Sequence, residues 1–201
     1  MVDPLPINLS EDEIDDILYS ARTNDQPFLK SMLSELSTKF KSSQLSILQS
    51  AVDLESANTA LHMAAANGHT DIIQYILSLP TPSSSCIASS ISNEIPFYSL
   101  PNASFNTPLH WASLNGHLHS VQLLVDAGGD VTAKNSAGHD ALFEAERGGH
   151  DEVAGWLAGV IAKKESNQGP DIDMDGMDSK ESGPGEEVAN PAVADVEGGM
   201  E

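Results

Sequence analysis

The feature that most constrains the fold is an internal repeat. Thr59-Ala-Leu-His-Met-Ala-Ala-Ala-Asn-Gly-His69 returns 48 residues later as Thr107-Pro-Leu-His-Trp-Ala-Ser-Leu-Asn-Gly-His117. A further 33 residues on, Asp140-Ala-Leu-Phe-Glu-Ala-Glu-Arg-Gly-Gly-His150 keeps Leu142, Ala145, Gly149 and His150 but loses the threonine and the first histidine. Going back 44 residues from the Leu61 copy, Ile17, Ala21, Phe28, Leu29, Met32 and Leu33 fall where Leu61, Ala65, Ile72, Ile73, Ile76 and Leu77 sit. A unit recurring at this period cannot bury its apolar face alone, so the copies must stack into an elongated array.

Each copy encodes two helices. Thr59 and Thr107 suit N-caps, and Pro108 suits the first turn, where its missing N–H has no helical partner. Ala64, Ala65, Ala112 and Ala145 allow close helix approach, and Gly68, Gly116 and Gly149 end the first helix. Second helices then bury Ile72, Ile73, Ile76 and Leu77, or Val121, Leu124 and Val125, at helical spacing.

The pattern resembles the ankyrin-repeat family, whose unit of about 33 residues is a β-turn followed by two antiparallel helices. The resemblance implies an all-α ankyrin-repeat solenoid of four helix pairs with β-turn fingers, the outer two atypical. The repeats are expected near 12–40, 53–80, 102–131 and 135–162, within a domain spanning 1–164. The 48-residue offset leaves an insertion at 80–104, rich in Ser and Pro at its start and expected on the surface. Residues 165–201 hold eleven acids and one lysine, with no aromatic residue and no helical period, and are expected to form a disordered acidic tail.

Charge narrows the partners. The chain carries 30 acidic and 9 basic residues, a formal charge of −21, of which −10 lies in residues 165–201 and −11 in residues 1–164. Such a balance repels phosphate backbones and anionic lipid, so neither nucleic acid nor membrane is an expected partner, whereas basic proteins are attracted at long range. The competing reading of the charge is solubility alone. Met1 to Leu9 contains no leader-like segment and no stretch reaches the ~20 apolar residues of a membrane span. The lone cysteine, Cys86, gives no disulfide framework, which suits a reducing compartment, the cytoplasm and nucleus.

No catalytic constellation stands out, and no enzyme, metal or cofactor is expected. His62, His69, His110, His117 and His150 occupy positions that serve hydrogen bonding between neighbouring turns and helices. His117 and His119, two apart on a helix, point in different directions.

In the ankyrin family the concave face, lined by fingers and by the exposed stripe of each first helix, holds the partner. Matching copy to copy gives Met63, Ala66 and Asn67, then Trp111, Leu114 and Asn115, then Glu144 and Arg147. The fingers add Glu55, Asn58, Asn106, Ser136 and His139. Trp111 is the expected anchor, packing beneath the insertion being the alternative, and Met63 with Leu114 completes an apolar floor. Glu55, Asp140 and Glu144 bound that floor and suit an amphipathic helix carrying basic residues.

Gly138-His-Asp-Ala-Leu-Phe-Glu-Ala-Glu146, with the Thr59 and Thr107 runs, resembles more narrowly the fungal ankyrin-repeat chaperones dedicated to small-subunit ribosomal protein three. That resemblance covers roughly residues 12–160 and implies that a newly made, basic ribosomal protein is held in the groove until it joins the pre-ribosome. A scaffold or regulator binding another basic protein, such as a histone, is the alternative. Nothing in the sequence points to a dimer interface, so a monomer is expected.

Overall fold

The computed structural model describes residues 7–80 and 96–167. Residues 81–95 of the insertion and all but the first three residues of the expected tail lie outside the described residues.

Four antiparallel helix pairs are present: α1 (Glu11–Thr23) with α2 (Gln26–Phe40), α4 (Ala60–Ala66) with α5 (Thr70–Ser78), α6 (Pro108–Leu114) with α7 (Leu118–Asp126), and α8 (Ala141–Gly148) with α9 (Asp151–Asn167). The first helices α1, α4, α6 and α8 pack side by side in that order, while α5, α7 and α9 form the layer behind them. One apolar cluster runs through the stack, with Ile17, Leu29, Leu61, Ile72, Ile73, Leu124 and Leu157 fully buried. Each large side chain of this kind contributes on the order of 1.5–3 kcal/mol when removed from water.

The first helices of the inner repeats start alike. Thr59 and Thr107 sit in extended conformation at the N-cap, and Pro108 occupies the first turn of α6. Both helices end at Asn67 and Asn115, each followed by a glycine at φ +71° (Gly68) or +74° (Gly116). Left-handed backbone is one reason for glycine here; the other is crowding, since a Cβ on Gly68 would lie 2.6 Å from the His117 ring.

Four expectations need correction. A further helix, α3 (Gln44–Ser50), fills the space between the first two pairs, capped by the Ser43 hydroxyl and burying Leu45, Ile47 and Leu48. Phe28, matched to the fully buried Ile72, is 45% exposed, because among the described residues α2 lies at the outer end of the stack. The insertion, expected on the surface, is anchored near its end: Phe97, in a 3-10 turn at Phe97–Ser99 packed on α6, is buried, while Asn102 falls in the next repeat as expected from its start near 102. At the far end α9 continues three residues past the expected boundary at Lys164.

Candidate functional site

The fingers form a ladder. Asn102 folds its own turn by accepting the Ser104 and Asn106 N–H groups at Oδ1, and Asn135 does the same for Ala137 and His139. Each then donates from Nδ2 to the asparagine of the preceding finger, Asn102 to Asn58 at 2.9 Å and Asn135 to Asn106 at 2.8 Å. Backbone bonds from Ala103 to Ser56 and from Ser136 to Ser104 complete the register. In the first finger Asp53 takes the asparagine's role, and the Ser56 hydroxyl and N–H it accepts hold its carboxyl below the usual carboxylate range.

Two histidines tie the ladder to the helices. The Thr59 N–H donates to His62 Nδ1 at 3.2 Å, so the opposite nitrogen, Nε2, carries the proton and donates to the Asn106 carbonyl at 2.9 Å. His110 repeats this with Thr107 and the His139 carbonyl. Burial pushes His62 down to about 4, and His110 downward too, so both rings are neutral near pH 7. A second pair of bonds crosses behind the floor, from His69 to the Arg22 carbonyl and from His117 to the Ala66 carbonyl.

On this frame open depressions lie along the concave face, three of them among the described residues bearing on the expected site. One is lined by Asn106, Trp111, Leu114, His139, Glu144 and Arg147 among others, and the second by Met63, Ala66, Asn67, Trp111 and Asn115 with Arg22. Trp111 stands on the ridge between them, half-buried, with its indole N–H buried and without an acceptor. The third lies beyond Met63, between Asp15, Tyr19, Arg22 and Asp53.

Most of the expected site residues therefore meet on one face, and several of them already hold intramolecular bonds. Glu144 is only 3% exposed: Oε1 accepts from Asn135 at 2.9 Å and faces His139 Nδ1 at 3.3 Å, while Oε2 pairs with Arg147 at 2.7 Å. It is a buried, neutralised group rather than an acid bounding the groove, since an unpaired carboxylate at that depth would be too costly. Asp140 spends its carboxylate capping α8, accepting the Phe143 N–H at 2.9 Å. Asn67 and Asn115 bond the Met63 and Ala66 carbonyls, and Asn106 is engaged in the finger ladder. Glu55 is exposed on the first finger and, like Asp140, lines none of these depressions.

The same stripe continues onto α1, where Tyr19 is 66% exposed and Arg22 lines two of the depressions. The 44-residue offset that aligns Ile17 with Leu61 also places Tyr19 on Met63 and Arg22 on Ala66, so this signal was available in the sequence. The floor thus reads Tyr19, Met63, Trp111, Glu144 along one row and Arg22, Ala66, Leu114, Arg147 along the next. It is apolar in the middle with an arginine at each end; beside it lie Asp15, exposed on α1, Glu55, exposed on the first finger, and Asp53, whose carboxylate is bonded to Ser56. Among the described residues no group of three or more His, Cys, Asp and Glu is placed to hold a metal ion, and no helix is long and apolar enough to cross a membrane.

Residues 17–135 and 86–168 match the family model described as ankyrin repeats, in three copies. The chain is 36% identical over 181 residues, 90% of its length and 85% of the relative's, to the ankyrin repeat-containing protein Yar1 of Saccharomyces cerevisiae. It also matches a chain in the crystal structure of the yeast ribosomal protein Rps3 in complex with its chaperone Yar1, with TM-score 0.62 and 36% identity, covering 76% of this chain and 95% of that one.

Proposed function

Since the chain belongs to the ankyrin-repeat family, we propose that it is a dedicated chaperone that holds a basic small-subunit ribosomal protein of the Rps3 kind in its concave groove. The observation that carries this reading is the 36% identity with Yar1 across 90% of the chain, together with a likeness in structure to Yar1 in complex with Rps3.

The groove supports a binding mechanism with two separate parts. Attraction comes from the rim and the chain as a whole: a formal charge of −21 draws a basic client from a distance and raises its encounter rate. Retention comes from the floor, where Met63, Trp111 and Leu114 offer apolar surface. Tryptophan anchors of this kind dominate interface energetics. Shielding the client's Lys and Arg side chains from RNA and other polyanions requires no nucleotide, and release follows when the assembling subunit competes for the same surface. The proposed place of action is the cytoplasm and nucleus, and no catalysis is part of the proposal: turnover of generic hydrolase substrates is expected to stay at baseline.

A pull-down from a fungal lysate tests the reading, comparing the full chain with a Trp111→Ala, Met63→Ala double variant and identifying bound proteins by mass spectrometry. One small-subunit ribosomal protein, Rps3, should dominate the wild-type eluate and be depleted from the variant's. Histones or a mixed set of basic proteins would instead make the protein a general acidic adaptor.

A further inference from the structure

The arginines at the two ends of the floor are held differently. Arg147 stands one turn after Glu144 on α8 and pairs with it at 2.7 Å. The equivalent places on α1 hold Tyr19 and Arg22, so a phenol replaces the carboxylate three residues before the arginine. Among the described residues the ion pairs are Lys39 with Glu13, His139 with Glu144 and Arg147 with Glu144, and the Arg22 guanidinium has no carboxylate partner within 4 Å. It also lies over no ring, unlike Lys30 over Tyr75 and Lys39 over Phe40. In a chain with 30 acidic and 9 basic residues, an arginine with no carboxylate in reach calls for a reason.

Its placement supplies one. The His69 ring donates to the Arg22 carbonyl at 2.8 Å, which fixes the end of α1 against the second helix pair. The Arg22 side chain is exposed and lines two depressions, one shared with Met63, Ala66 and Trp111, the other with Asp15, Tyr19 and Asp53. The first has no acid among its lining residues. In the second, Asp15 lies two helical turns back along α1, about 10 Å, and Asp53 is bonded to Ser56. A guanidinium presents a planar fork of N–H donors that matches a carboxylate, and beside apolar surface that pairing is stronger than in open water. A segment carrying only cations, laid across Met63 and Trp111, would bring Lys or Arg against Arg22, a like-charge contact that costs affinity. The last-turn position also lets Arg22 complement the free carbonyls at the end of α1, a role that needs the charge but not the fork.

We propose that Arg22 binds a side-chain carboxylate, Asp or Glu, of the client segment whose apolar residues lie on Met63 and Trp111. This rests on the chaperone reading above and deepens it: the acidic chain attracts a basic client, while Arg22 selects within that client a segment of mixed charge and fixes which of its ends lies over α1.

The test is calorimetric titration of purified yeast Rps3 into the full chain carrying Arg22→Gln, Arg22→Lys or Lys163→Gln, with melting temperatures measured on the same samples. Lys163 is exposed near the end of α9 and lines none of the three depressions. Both glutamine variants make the chain more acidic by one charge, so general attraction alone gives each of them equal or tighter binding. Arg22→Gln should instead bind roughly tenfold more weakly, while Lys163→Gln binds at least as well as wild type. Arg22→Lys keeps the charge at the helix end and should melt like wild type, with an affinity between those of wild type and Arg22→Gln. Wild-type or tighter binding by Arg22→Gln overturns the proposal even if its melting temperature falls, because lost stability alone marks the helix-end role. An equal loss in Lys163→Gln overturns it too. Trp111→Ala, measured alongside, separates the two ideas: if it loses Rps3 while Arg22→Gln does not, the groove stands and only the carboxylate contact fails. If the wild-type chain itself does not bind Rps3, the chaperone reading fails and the contact falls with it.

Discussion

Helix α6 of the third helix pair and helix α8 of the last share one backbone plan and differ in chemistry. α6 opens with Thr107 and carries His110, whose ring bonds backwards to Thr107 and forwards to the carbonyl of His139 in the next finger. α8 opens with Asp140, which caps Phe143 directly, and Phe143 replaces the histidine. The difference has a physical cause: the histidine's forward partner is the following finger, and among the described residues no finger follows α9. Phe143 instead turns outward, 44% exposed, with its ring centroid 4.0 Å from that of His139. Likewise Glu144 and Arg147 take the places of Trp111 and Leu114 and pair with each other. Inner repeats are joined by neutral, buried bonds in both directions, whereas the end repeat is finished with ions and partial exposure.

The sharpest way to separate the two regions is at their helix-ending glycines, since Gly116 and Gly149 share φ +74°. A Cβ on Gly116 would run into the His150 ring, whereas one on Gly149 would meet nothing within 4 Å. Gly149→Ala should therefore cost only the backbone strain, about 1–2 kcal/mol. Gly116→Ala should add overpacking of about 1–3 kcal/mol to the same strain. Urea midpoints of the two variants read this directly, and equal losses would remove the crowding argument.

Acid should expose the same asymmetry with a somewhat smaller effect. His62 is held at about 4 in the folded chain against about 6.5 unfolded, so the unfolded state takes up the proton first. The stability in question is whole above pH 6.5 and is lost as pH falls toward 4, by about 3 kcal/mol for this one ring, with His110 adding in the same direction. Melting curves across that window should slope for wild type and flatten in His62→Gln. An unchanged slope would mean that the ring is not buried neutral.

Smallest of all should be Glu144→Gln. The amide oxygen keeps the bond from Asn135, and the lost ion partner, Arg147, is half-exposed, so the change should lie within about 1 kcal/mol. A loss comparable to that of Gly116→Ala would make the end repeat as tightly coupled as the inner ones.

Much of this plan was legible in the sequence because it recurs. The Thr-x-Leu-His and Gly-His runs located both inner helix pairs, and the offsets of 44 and 33 residues located the outer ones. Features that occur once were not legible. Helix α3 has seven residues, too few for a helical period to show, and Phe97 anchors the end of an insertion with no counterpart in other repeats. Glu144 fell on the exposed stripe by alignment, and only the three-dimensional placement of Asn135, His139 and Arg147 reveals why it is buried. Tyr19 and Arg22 are the reverse case: the 44-residue offset places them on the stripe, although the first repeat lacks the Thr-x-Leu-His and Gly-His runs that mark the stripe elsewhere.

The central claim is that a basic client is retained on the helix floor around Trp111, with acidity acting mainly on encounter. Calorimetric titration of purified Rps3 into the full chain and into Trp111→Ala, with cooperative unfolding of both verified, tests it most directly. Removing an anchor should weaken binding by about 2 kcal/mol or more, on the order of thirtyfold, at both low and moderate salt. Equal affinity for the two chains, or a loss confined to low salt, would contradict it and place the binding in the charge rather than in the groove.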